Sequence, residues 1–252
     1  MRLSTILFLT ATITASASAQ DTTYLLTDSG LTGWQVIVQE RGAVPVAEQD
    51  LFAYEGGSLH VMAHAPDGSR QPFAALVTDA EYERYHLHVE YRWGEKKFAP
   101  RTDAVRDAGV LFHVFDTGIF WPSGLECQIQ EGDTGDAWLI GARATSTLHP
   151  DAHNFASSGH PETRAGERYA KFARSFSWEV PGWNTIDMEV DGATARFYVN
   201  GHLVNELTGS ERPDPRSGKW VALGKGKIAL QAEGAELFYR NVWLVEKSVN
   251  KQ

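Results

Sequence analysis

Cysteine is almost missing from this chain: among 252 residues there is one, Cys127. No intramolecular disulfide can form, so stability has to come from a large hydrophobic core. Basic clusters are missing too. The 23 Lys and Arg are outnumbered by 32 Asp and Glu, for a formal net charge of −9. An acidic chain without a basic patch is a poor partner for nucleic acid or an anionic membrane. After residue 20 no apolar run is long enough to cross a bilayer. No dinucleotide or phosphate-loop motif is present, and helical periodicity is nearly absent.

What is there begins with MRLSTILFLTATITASASAQ. An early Arg2, an apolar stretch from Leu3 to Leu9 and Ala17-Ser18-Ala19 form the three-part pattern of a secretory signal peptide. The expectation is an exported protein, periplasmic or secreted, with a signal over 1–20 and a single domain over 21–252.

The dominant period is two. In WNTIDMEV (183–190), Ile186, Met188 and Val190 alternate with Asp187 and Glu189. Asp191-Gly192 and Asn200-Gly201 then punctuate ARFYV and HLVNEL, which predicts a three-strand meander over 183–207. Further strands are predicted at 34–39, 58–64, 73–78, 85–93, 109–115, 125–130, 227–234 and 236–245. Many short strands separated by turns predict an all-β sandwich or closed barrel. Two polar stretches, 94–109 and 141–175, read as irregular connections.

Chemistry is concentrated in ECQIQEGDTGD (126–136), which holds four carboxylates and no Lys or Arg. On a strand, Leu125, Cys127 and Ile129 would face one side, and Glu126, Gln128 and Gln130 the other. Glu and Gln suit strands poorly, so an all-polar row of one acid and two amides is a costly way to solvate a surface. An ordinary solvent-facing row is the competing reading. Trp121 and Trp138 flank the strand, and aromatic faces stack on the C–H faces of pyranose rings.

Several stretches together resemble the 3-keto-disaccharide hydrolase domain family. They are AGVLFHVFDTGIFWPSGLECQIQEGDTGDAWLIG, the WN…V…G…VNG hairpins of 183–207, and GKIALQAEGAELFYRNVWL. The resemblance runs from about Leu31 to Leu244. It implies a concanavalin-like jelly-roll β-sandwich of two antiparallel sheets, one carrying the site. It also implies exported proteins that cleave glycosides oxidised to the ketone at C3 of the sugar. The family's acidic strand reads roughly E-x-Q-x-x-D; Glu126 and Gln128 match, and Glu131 stands at the third position. Asp107-Ala108-Gly109 replaces a frequent Asn-Ser-Gly, His113 replaces an Arg, and Glu233 replaces a frequent His. These departures point to a divergent subgroup.

A C3 ketone acidifies the C2 hydrogen. A base can remove it, and the C1 substituent, β to the carbanion, then leaves with help from an acid. Glu126, Glu131 and His113 are the catalytic candidates. Gln128, Gln130, Trp121, Trp138, Gln231 and Glu233 are the substrate-binding ones, and a saccharide or glycoside is the expected partner. Glu126, Glu131, Asp133 and Asp136 offer hard oxygens of the kind a divalent cation such as calcium takes. His149, His153 and His160 offer nitrogens, yet no spacing fixes a complete ligand set. Two other readings compete: a non-catalytic, lectin-like carbohydrate-binding module, and a conventional endoglucanase. The second needs carboxylates where Gln128 and Gln130 stand.

Overall fold

The computed structural model describes residues 21–45 and 50–247; the segment 1–20, expected to be a signal peptide, lies outside them. These residues form strands and no helix. The first strands are β1 (Thr22–Tyr24), β2 (Trp34–Val38), β3 (Gly42–Val44), β4 (Phe52–Glu55), β5 (Ser58–Val61), β6 (Ala74–Thr78) and β7 (Arg84–Lys97). Next come β8 (Asp107–Asp116), β9 (Ser123–Gln130), β10 (Ala137–Ile140), β11 (Arg143–Leu148), β12 (His160–Ala165) and β13 (Tyr169–Phe172). The last are β14 (Asn184–Asp191), β15 (Thr194–Val199), β16 (His202–Pro213), β17 (Trp220–Ala222), β18 (Lys227–Ala232) and β19 (Ala235–Glu246).

They assemble into two antiparallel sheets. The larger runs β12-β11-β16-β15-β14-β7-β19-β5-β4, with β1 added on β19 and β17 on β16. The smaller runs β13-β10-β9-β8-β18-β6-β2-β3. The core between them follows from the alternation. Tyr85, Leu87, Val89 and Tyr91 of β7 meet Leu125, Cys127 and Ile129 of β9 in one buried cluster. Each such side chain contributes about 1.5–3 kcal/mol through burial.

The meander is present, with one shift. The first turn is Gly192-Ala193, because Asp191 already pairs with Thr194. Gly192 has φ +56°, the left-handed conformation a tight hairpin needs. Asn200 and Gly201 both have positive φ, as a type I′ turn requires. The stretch 141–175, expected to be irregular, holds β11, β12 and β13. β11 alternates inward Ala144, Ser146 and Leu148 with half-buried neighbours. β12 is an exposed edge strand with Pro161 in it, so it has no apolar alternation to read. The 94–109 connection shrinks to 98–106, because β7 runs on to Lys97 and β8 starts at Asp107.

One acid locks the far end of β7. The Glu236 carboxylate accepts from the amides of Glu95 (2.9 Å) and Lys96 (3.2 Å) and pairs with Lys96 Nζ and His60. Burial alone would raise its pKa, but these donors outweigh it and pull the value down to about 2. A depressed carboxylate adds stability above its unfolded pKa and loses it as pH falls through the folded one. We expect Glu236 to contribute about 3 kcal/mol at neutral pH, lost between about pH 4.5 and 2. Urea unfolding of Glu236→Gln against the parent across that range should show the two converging at low pH; a constant gap would refute the assignment.

Candidate active site

The outer face of the smaller sheet has two halves. One is apolar: Ile37, Ala75, Val77, Leu111 and Ala229 are buried under Phe120 and Trp121. This explains why β6 is buried on both faces. The other half is a cavity of about 310 Å³. Its floor carries Glu126, Gln128 and Gln130 of β9, Asp107 of β8 and Gln231 of β18, with Glu233 just beyond. Trp121, Trp138, Ile140 and Tyr169 form an aromatic and apolar wall, and Arg101 reaches in from the 98–106 connection. A small polar floor facing aromatic rings is the usual composition of a small-ligand pocket.

Strand register explains the depth. Gln128 pairs across to Gly109, and Gln231 pairs to Ala75. Gly109 therefore leaves a gap in a row of side chains, and the Glu126 carboxylate fills it. A Cβ on Gly109 would lie 2.0 Å from Glu126 Oε1 and 2.7 Å from Gln231 Oε1.

Asp107 is the polar hub. It accepts from Arg101 Nη2 (2.5 Å), from Gln128 Nε2 (2.7 Å) at Oδ1 and from Gln130 Nε2 (2.7 Å) at Oδ2. With their amide nitrogens committed, the two glutamines present carbonyl oxygens, which suit sugar hydroxyls. Glu233 takes a longer bond from Arg101 Nη1, 3.3 Å. Burial raises the pKa of both Asp107 and Glu233. Glu233 is the less well compensated, since Asp107 holds the short Arg101 contact and both amides. Glu126 is 4 % exposed and its Oε1 has no hydrogen-bond partner. Burial first, then the charges of Glu233 and Asp107, push its pKa well above the ordinary carboxylate range. Three acids thus line a cavity whose arginine bonds two of them and leaves Glu126 without a cation, an arrangement that separates a proton donor from a proton acceptor.

Two residues expected in the site lie elsewhere. Glu131 sits past the end of β9, where the Arg106 amide (2.8 Å) and guanidinium (2.5 Å) capture it. Those bonds outweigh burial and hold its pKa down. The acid neighbours of Glu126 are instead Asp107 and Glu233. His113 falls where β8 loses register between Phe112 and Asp116, and it takes φ +48°. Its ring turns away from the outer row, and Nε2 bonds the Gly192 carbonyl at 2.8 Å. Conversely, Arg101 and Asp107 belong to the cavity and were not singled out as site residues. The proximity of Asp107 to Gln130 is visible only in the β8–β9 register.

Of the four carboxylates offered to a cation, the three other than Glu126 are paired with protein groups. Asp133 pairs with Arg174, Asp136 with Lys171 and Arg174, and Glu131 with Arg106. Among the described residues no three His, Cys, Asp or Glu are grouped to hold a metal ion. Arg240, which fits the resemblance, forms an ion pair with Glu90 and lies over the Trp183 ring on the other sheet.

A family model described as the 3-keto-alpha-glucoside-1,2-lyase-like domain matches residues 21–245. The chain belongs to this family. Among solved structures it is similar to a candidate glycosyl hydrolase from Parabacteroides distasonis (17% identity, TM-score 0.55, 90% of this chain and 94% of that one). A second candidate glycosyl hydrolase from the same organism matches at 16% identity and TM-score 0.53, covering 90% and 100%. The carbohydrate-binding module CBM66 from Bacillus subtilis matches at 10% and 0.50, covering 85% and 96%. At such identities these likenesses establish the fold, a concanavalin-like jelly roll. No curated protein matches. Family membership places the chain among carbohydrate-related jelly rolls, and no helix among the described residues is long and apolar enough to cross a membrane.

Proposed function

We propose that this protein cleaves the glycosidic bond of a 3-keto-glycoside by elimination across C1–C2, with or without later addition of water. One observation carries the reading: a buried acid, Glu126, with an unpartnered oxygen on the floor of a cavity shared by two further carboxylates. A binding cavity would pair such an oxygen with a ligand hydroxyl, whereas an acid whose pKa is raised by burial and two acidic neighbours suits proton transfer.

In this scheme the sugar stacks on Trp121 and Trp138, and Gln128 and Gln130 accept from its hydroxyls. Glu233 takes the proton from C2. The C2–H electrons first delocalise into the C3 carbonyl as an enolate; on its collapse they form the C1=C2 bond, and the C1–O bond breaks. Glu126 supplies the proton that the departing oxygen needs. Arg101 is the cation facing the enolate oxygen that develops at C3. The products are the free aglycone and an unsaturated 3-keto sugar, which water converts to the free 3-keto sugar. Because burial raises both working acids, the rate optimum should lie on the alkaline side of an ordinary carboxylate pair. Export of the protein remains part of this proposal and rests on the N-terminal pattern.

Purified residues 21–252 should release aglycone from a 3-keto-glucoside and not from its unoxidised parent. Release from the parent would point to a conventional glycosidase and refute the carbanion route. Tight sugar binding with no release from either would mean a binding module.

A further inference from the structure

The cavity floor contains an electrostatic conflict that the scheme above does not use. Glu126 Oε1 and Gln231 Oε1 are both buried, and neither has a hydrogen-bond partner. Gln231 is 1 % exposed. Both oxygens converge on the space left by Gly109, within 2.0 and 2.7 Å of one point. Two oxygens that can only accept repel each other, and a buried polar atom left unpaired is destabilising. A single proton between them removes both deficits.

We propose that Gln231 is a positioning residue whose Oε1 accepts the hydrogen bond of a protonated Glu126, so that the resting protein stores the proton its reaction delivers. The surroundings agree. Burial, with Glu233 beyond β18 and Asp107 on β8 facing Glu126, disfavours a third carboxylate anion and outweighs the contact of the Gln231 side chain, which favours one. Arg101, the cation that lines the cavity among the described residues, is already bonded to Asp107 and Glu233. Beneath the sheet, the Tyr239 hydroxyl donates to the Gln231 backbone carbonyl at 3.3 Å and fixes the residue that accepts from Glu126. Rotation about the carboxyl C–O bond would turn the same O–H from Gln231 to a leaving oxygen. As the O–H proton leaves, its bonding pair stays on Glu126 and the departing alkoxide becomes an alcohol. Only this delivery step rests on the proposed function; the hydrogen bond belongs to the ligand-free protein.

The test is an infrared difference spectrum of the full protein at neutral pH, without substrate, against Glu126→Gln. The expected result is the carbonyl stretch of a neutral carboxylic acid, present in the parent and absent from the variant. In Gln231→Met, which keeps side-chain length and removes the acceptor, that band should move to higher frequency. On a 3-keto-glucoside, kcat should fall on the order of tenfold or more with little change in KM. If Glu126 shows only carboxylate bands, the Gln231 amide is turned the other way, with Nε2 donating to an anion, and the proposal is overturned. A band unmoved in Gln231→Met overturns it equally. If the bands behave as expected and no keto sugar is cleaved, the proposed function fails and the stored proton stands. The parent-minus-Glu126→Gln comparison remains decisive should Gln231→Met not fold.

Discussion

Glu126→Gln is expected to lower kcat/KM on a 3-keto-glycoside by roughly three orders of magnitude, within the range that positioned acid–base groups supply. The same change should make the protein more stable. Gln and Glu have the same shape, and an amide N–H can donate to Gln231 Oε1 as a protonated carboxyl would. What disappears is titration. A carboxyl whose folded pKa is raised adds no cost below its unfolded value, and stability is lost as pH rises toward the folded one. For Glu126 the rise comes from burial and from Glu233 and Asp107. The variant should therefore gain about 1.4 kcal/mol over the parent for each pH unit between those two values. Paired kinetics and urea unfolding at several pH values would check both halves. Activity within tenfold of the parent would remove Glu126 from the chemistry. Equal pH dependence of stability would mean its carboxyl is not the starved group described here.

Asp136→Ala is expected to cost about 2–4 kcal/mol, because three donors lose one buried, charged acceptor. Asp136 is fully buried. It accepts from Lys171 Nζ (2.7 Å), the Arg174 amide (2.8 Å) and Arg174 Nη1 (3.2 Å). Those bonds tie β13 and the segment after it to the end of the 131–136 turn. Removing the carboxylate leaves a cation and an amide without partners. The midpoint of urea unfolding should fall with an unchanged slope. A loss under about 1 kcal/mol would mean that water replaces the carboxylate without difficulty. Tyr169 of β13 lines the cavity, so sugar affinity should weaken as well.

Much of the fold could be read because burial writes a period of two into the chain. Leu125, Cys127 and Ile129 went inward, so Glu126, Gln128 and Gln130 had to face out together. What escaped had no periodic signature. β12 is exposed at nearly every position, and the double burial of β6 depends on the Phe120–Trp121 cover. The site was legible along β9 and not across it. Arg101 arrives from a connection, and Asp107 matters because of the strand it pairs with. Glu131 was placed by its nearness in sequence to Glu126, but Arg106 claims it. The left-handed turn of the chain at His113 leaves no mark in the residue types around it.

Cys127 sits between the sheets on the strand that carries Glu126, and it is the only thiol in the chain. Burial first, then Glu126 and Asp136, keeps it from ionising. A thiol that is neither exposed nor ionised does not react with alkylating agents. Each labelling event must therefore begin with β9 leaving its place between the layers. The chain carries a built-in clock for the opening of the strand beneath its cavity, and a ligand that seals the cavity from outside should slow that clock by the ratio of total to free protein.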